Sequence, residues 1–169
     1  MVKIKEAVFD AGPFIHLYEI NQLPLLALFL KILSTPEVLD ECRNFREKLL
    51  QYKNIVQKGL TAENKNVAKY ILGHYSLDLG EATALALCKQ EQISFFFTDD
   101  LQAREVAQNL GFKAHGTLGI ILRALREKLI TTAEAKVVVE NLSNSSLFFT
   151  KDLQQLVLKE IEAFGKRKV

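Results

Sequence analysis

Val2-Lys3-Ile4-Lys5-Glu6-Ala7-Val8-Phe9-Asp10 runs directly into Ala11-Gly12-Pro13. Ala7-Val8-Phe9 is consecutive apolar sequence rather than an alternation, the pattern of a strand buried on both faces. Gly12 and Pro13 then start a helix, with Gly12 as N-cap and Pro13 at the first helical position. Asp10 therefore stands where a strand ends and a helix begins, the edge at which open α/β sheets bind ligands.

The same punctuation recurs along the chain. Pro13 to Tyr18 reads as a short apolar helix, and Asn21 caps a second over Leu23 to about Leu30. Lys31 to Thr35 is a strand, and Pro36 restarts a helix with Val38, Leu39, Cys42 and Phe45 on one stripe. The charged segment from Phe45 to Gly59 is ambiguous, with a short strand at Asn54-Ile55-Val56. Thr61 opens a helix to about Tyr75, and Asp78-Leu79-Gly80-Glu81 is a strong helix start. Ile93 to Thr98 is the clearest strand, aromatic and continuous, and it ends in Asp99-Asp100. A helix with Ala103, Val106, Ala107 and Leu110 follows and closes at Gly111. Phe112 to His115 is the last strand, and Gly116-Thr117-Leu118-Gly119 turns into a helix over Ile120 to Lys128. Two more helices run from Thr131 or Thr132 to about Leu142 and from Thr150 onward, the latter with Leu153, Leu156, Val157 and Ile161 on one face. Residues 165–169 are expected to fray.

Strand and helix in alternation predict an α/β fold: a mainly parallel central sheet of four or five strands with helices on both faces. All 169 residues are read as one domain, with the C-terminal helices spanning about 131–164. Hydrophobic content of 49%, charged content of 25% and net charge of +2 are those of an ordinary globular chain, and they neither demand nor exclude a nucleic-acid partner. Cys42 and Cys88 form no CxxC pair, which argues against a disulfide framework or a thiolate zinc site and fits a reducing cytoplasm. No signal peptide is read, and the apolar run Leu23 to Leu33 is broken by Pro24 and Lys31, short of the about 20 residues a membrane span needs.

Because every strand of a parallel sheet ends on one edge, Asp10, Asp99 and Asp100 can converge. Each acid also has a plainer explanation. Asp78 and Glu81 have the spacing of a capping box. One of Asp99 and Asp100 caps a helix, which leaves the other unexplained. Asp10 lies two residues ahead of the expected cap, so capping explains it least. Glu41 is on the polar side of its helix, where a solvated Glu is the ordinary finding. Taken together the ligands are all oxygens, a set suited to a hard divalent cation such as Mg²⁺ or Mn²⁺. Neither a Walker A motif nor a GxGxxG fingerprint is present.

Five motifs in order carry a family resemblance: Val8-Phe9-Asp10 with Gly12-Pro13; Val38-Leu39-Asp40-Glu41; Gly80-Glu81-Ala82-Thr83-Ala84; Phe97-Thr98-Asp99-Asp100-Leu101-Gln102-Ala103-Arg104; and Gly116-Thr117-Leu118-Gly119. Over about Met1 to Arg126 the chain resembles a PIN domain, of a prokaryotic, VapC-toxin-like branch with GExxA and DDxxAR motifs. The resemblance implies a three-layer α/β/α sandwich and a metal-dependent ribonuclease acting on single-stranded RNA, either the toxin of a toxin–antitoxin pair or an RNA-processing enzyme. It implies Asp10, Glu41, Glu81 and Asp100 as catalytic acids. It implies Asp10, Glu81, Asp99 and Asp100 around Mg²⁺ or Mn²⁺, with Thr98, Arg104 and Thr117 in support. It leaves open whether Asp99 or Asp100 is the main ligand, whether Asp40 or Glu41 faces inward, and whether one or two ions bind.

Beside these roles stand plainer ones: an i, i+4 pair with Asp100 for Arg104, a helix cap for Thr117, a packed His115, and a solvated basic face for Arg43, Arg46, Lys48 and Lys53. The apolar hairpin Phe14 to Leu30 is expected to offer a surface to a second copy or an antitoxin protein. The main alternative is a PIN-fold RNA- or protein-binding module with little turnover. An aspartyl phosphotransfer domain ranks last, for want of a suitably placed Lys.

Overall fold

The computed structural model describes residues 2–166. Its centre is a five-stranded, all-parallel sheet of β1 (Ile4–Phe9), β2 (Phe29–Ser34), β3 (Ile55–Gln57), β4 (Phe95–Phe97) and β5 (Lys113–His115), in the order β3-β2-β1-β4-β5. β1 is central, which is why Ala7, Val8 and Phe9 are wholly buried and why their sequence does not alternate. Val8 pairs with Leu33 and Phe96, and Phe97 pairs with both Phe9 and His115. With Ser34 opposite Gln57, the last residues of all five strands lie in one row.

The helices are α1 (Ala11–Glu19), α2 (Pro36–Glu41), α3 (Arg46–Leu50), α4 (Ala62–His74), α5 (Leu79–Glu91), α6 (Leu101–Asn109), α7 (Thr117–Arg126), α8 (Thr132–Ser143) and α9 (Lys151–Lys166). α5 lies on β1 and β4, with α2 and α4 against it; α7 lies against α1 and β5, with α8 and α9 packed on α7. The result is the expected α/β/α sandwich. One contiguous cluster of buried side chains runs from Ile4 to Ile161. At its middle the Phe9 ring stacks on Phe97 at 4.8 Å and meets Phe29 edge-on at 5.0 Å.

Several local expectations are corrected. α1 starts at Ala11 with Asp10 at the N-cap, which moves Pro13 to the third helical position. Pro is tolerated there because the N–H groups of the first turn have no intrahelical acceptor. Leu23–Leu28 is a 3₁₀ segment, and β2 begins at Phe29, whose partner in the register is Ile4. α7 starts at Thr117 with Gly116 as N-cap, so Thr117 is not the cap. In α9, Val157 and Ile161 are buried, but Leu156 is 64% exposed and Leu153 lies at the surface.

The hairpin from Phe14 to Leu30 does not present an apolar surface. Phe14, Leu17, Leu23, Leu25, Leu26 and Leu28 are all buried, in a hairpin packed against α7, and Leu30 alone among its large apolar side chains is strongly exposed. Gly111 closes α6 with φ +88°, a left-handed conformation that favours glycine. The expectation of a frayed end concerns Arg167 to Val169, which lie outside the described residues, together with Gly165 and Lys166, which complete α9.

Candidate active site

Asp10 follows β1 directly, and its backbone N–H donates to the Phe97 carbonyl at 2.9 Å. Although it occupies the N-cap position of α1, its side chain makes no capping bond. Instead Oδ2 accepts a hydrogen bond from Thr98 Oγ1 at 3.0 Å, and the residue is 6% exposed. Burial pushes its carboxyl up to about 7, against the lowering effect of hydrogen bonds from Ala11 and Thr98; Glu41 and Asp78 push it further up.

α5 brings two more acids to this edge. Asp78 and Glu81 form the expected capping box: Asp78 Oδ1 accepts from the Glu81 N–H at 2.8 Å, and Glu81 Oε2 from the Asp78 N–H at 2.9 Å. The box does not exhaust the role of Glu81, whose carboxyl is pushed up to about 7, first by burial and then by Asp78, Asp10 and Asp100. Glu41 closes α2, and its carboxylate lies against Gly80 where a β-carbon would stand. Glu41 is exposed as a residue, but partial shielding of its carboxylate there, and then the charges of Asp78 and Glu81, raise it to about 7. The neighbouring Asp40 turns away, 2.6 Å from Arg46 and strongly exposed, so Glu41 is the acid that faces inward.

Asp100 is the N-cap of α6, with Oδ1 accepting from the Ala103 N–H at 2.7 Å, and its own N–H donates to Thr98 Oγ1 at 3.2 Å. Asp99 points elsewhere. Its carboxylate lies 2.6 Å from His16 Nδ1 and accepts from the N–H and the hydroxyl of Thr117, each at 2.6 Å. Arg104 makes no ion pair with Asp100; Nη2 reaches the Thr98 carbonyl at 3.4 Å, and Nε is buried without an acceptor. His115 ends β5 beside this group.

Asp10, Glu41, Asp78, Glu81 and Asp100 thus share one electrostatic neighbourhood, and no cation is among the influences on the three raised carboxyls. Asp78 was legible only as a cap; its place in the acid group comes from the approach of α5 to β1. His16 had no signal at all, since its partner lies 83 residues further along the chain. Among the described residues, no three His, Cys, Asp or Glu side chains close on one point as a finished metal cage. The donor chemistry nevertheless fits a hard divalent ion, because every inward group is a carboxylate and a cation relieves both the desolvation that chiefly raises them and the repulsion among them. Cys42 supplies no softer ligand: burial first, then Glu41 and Asp10, push its thiol up to about 12.

No described helix is long and apolar enough to cross a membrane. Neither the curated proteins nor the solved structures gave a match. A PIN domain family model matches residues 6–163, nearly the whole chain. The five-stranded parallel sheet flanked by helices agrees with that match, and the chain belongs to the PIN domain family, a fold of nuclease type.

Proposed function

We propose that this protein is a Mg²⁺- or Mn²⁺-dependent endoribonuclease that hydrolyses phosphodiester bonds of single-stranded RNA. The observation that carries the reading is the convergence of Asp10 at the end of β1, Glu81 in the first turn of α5 and Glu41 against Gly80, with all three carboxyls raised to about 7. A structural role alone leaves the repulsion among them uncompensated, whereas a site for a cation and a phosphate uses it.

Asp10, Glu41, Glu81 and Asp100 would hold the ion, with Asp99 bracing the group from behind. When bound, such an ion would supply an acidified water and neutralise charge on the phosphoryl group. The chain does the rest. Thr98 Oγ1 holds Asp10 Oδ2 and so fixes the orientation of that carboxylate. The N-termini of α1, α5 and α6 lie beside Asp10, Glu81 and Asp100, and their partial positive charge suits a bound phosphate. Within this reading the protein is a cytoplasmic toxin held by an antitoxin protein, or an RNA-processing nuclease, and works as a homodimer.

One observation favours a second reading, an RNA- or protein-binding module with little turnover: Asp10, Glu81 and Asp100 each already accept a hydrogen bond from the protein. Incubating labelled single-stranded RNA with the protein, with and without Mg²⁺ or Mn²⁺, separates the two. Cleavage that requires metal and is lost in Asp10→Asn and Asp100→Asn supports the nuclease. RNA that stays bound and intact under every metal condition favours the module.

A further inference from the structure

Under α7, a recess of about 180 Å³ follows the sheet from Ile4 and Phe29, the first residues of β1 and β2, up to Phe97 and His115 in the row of strand ends next to the acids. Phe95, Phe97 and His115 contribute rings to it, and Arg123 and Arg126 contribute guanidinium groups. The His115 ring stacks 6.2 Å from Phe95 and 5.6 Å from Phe97, and Lys113 Nζ sits 5.4 Å above the Phe95 ring. β5 is an edge strand, and both Lys113 and His115 are exposed.

Two buried donors in this region lack acceptors. Arg123 gives one Nη2 bond to the Val2 carbonyl at 3.0 Å and pairs with Glu127 at 3.2 Å, but its Nε is buried and unbonded. Arg104 Nε is in the same condition, and Arg104 has no carboxylate partner among the described residues. A buried N–H without an acceptor is costly, and a ligand acceptor removes the cost. Among the described residues Arg126 reaches only the exposed Glu160, at 3.4 Å.

We infer that this recess takes one unstacked base of a single-stranded RNA, with Lys113 and Arg104 on the flanking phosphates. The inference rests on the ribonuclease reading and extends it, adding a track that leads the strand to the acids. Single-stranded RNA is held through splayed bases on aromatic and guanidinium planes, with cations along the backbone, and this surface offers each component. The volume is well below that of a pocket for a drug-sized ligand and suits one ring system. The connection to the acids is short. The His115 carbonyl accepts from the Thr98 N–H at 2.9 Å, and the Thr98 hydroxyl holds Asp10. The field at His115 is positive: after burial, Arg104, Lys113 and Arg123 all push it below the usual imidazole range.

The test measures binding of a short fluorescent RNA to Asp10→Asn protein with Mn²⁺, so that cleavage does not interfere. His115→Ala and Phe95→Leu are each expected to weaken binding about tenfold, the scale of losing one stacked base. Replacing bases by abasic units is expected to cost the same factor in the parent but little more in His115→Ala. Lys113→Gln is expected to lower the slope of log affinity against log salt by roughly 0.7. Thermal melts confirm that each variant is folded. RNA bound equally by the parent and all variants overturns the recess but leaves the ribonuclease reading standing. No RNA binding by the parent or the wild type, with no cleavage, overturns both.

Discussion

The carboxylate of Glu41 occupies the place beside Gly80 that a β-carbon would fill. Gly80 is in the first turn of α5, immediately before Glu81, so this approach brings the end of α2 onto the acids of α5. Gly80→Ala is therefore expected to displace Glu41 while leaving the helix intact. Alanine is the better helix former by about 1 kcal/mol, and a displacement near 1 Å at a catalytic group costs roughly a hundredfold in rate. The expected outcome is a large fall in kcat/KM for RNA with Tm nearly unchanged. Unaltered turnover would remove Glu41 from the site.

Asp10→Asn should separate stability from activity. The substitution removes a buried charge and keeps an oxygen for the Thr98 hydroxyl. Metal-free Asp10→Asn is expected to melt higher than wild type at about pH 8, by an amount on the order of 1–3 kcal/mol. It is expected to cut no RNA. Near pH 5 the advantage should shrink, because wild-type Asp10 is then protonated. Calorimetry at both pH values checks this, and an equal or lower Tm at high pH argues against a repelled carboxylate.

The pH dependence of the metal-free protein has a definite sign. Asp10, Glu41 and Glu81 have ordinary values of 3.8, 4.5 and 4.5 and are raised to about 7 in the fold. Between those limits the native state binds more protons than the unfolded chain, so stability falls as pH rises. It is fully present below about pH 4 for these groups and is lost through about pH 7. Tm in chelator should therefore decline from mildly acidic to mildly basic buffer. Millimolar Mn²⁺ should reverse the decline at the basic end, by linkage to the native state. A flat Tm profile in chelator would count against the raised carboxyls.

Asp99 should behave differently from its neighbour. Its three contacts tie α1, the end of β4 and the start of α7 together through His16 and Thr117. Breaking a largely buried set of this kind costs about 1–3 kcal/mol. His16→Ala and Asp99→Asn should both lower Tm while keeping the Mn²⁺-induced rise, whereas Asp100→Asn should lose much of that rise. Loss of the metal response in Asp99→Asn would make Asp99 a ligand.

Which parts of this could be read from the chain follows from how far each interaction reaches. Asp10, Thr98 and Asp100 were legible because each follows an apolar run and a parallel sheet aligns such ends. The Asp78–Glu81 box was legible because it is local, a matter of spacing within one helical turn. Asp40 and Glu41 were not separable, since both lie on a polar helix surface and only the partners Arg46 and Gly80 tell them apart. The His16–Asp99 contact joins a helix near the start to a turn beyond the middle, and no local pattern encodes it. The N-cap of α1 was misplaced because the Gly-Pro pair looks like a helix start, whereas the geometry of Asp10 sets it two residues earlier.

The strand order also says when the site can exist during synthesis. β1, β2 and β3 are neighbours in sequence and in space, so the first third of the chain can pair its own strands. The other edge of β1 waits for β4, which arrives after α5 has been made. Until Phe97 and Thr98 emerge, Asp10 has neither its backbone acceptor nor its hydroxyl partner, and Asp100 is not yet part of the chain. A nascent or truncated product ending before β4 therefore carries an open central edge and no assembled acid group. If the protein has the proposed ribonuclease function, a chain whose acids meet only late in translation is harmless to RNA while it is being made, and its most exposed moment is one of stickiness, not of activity.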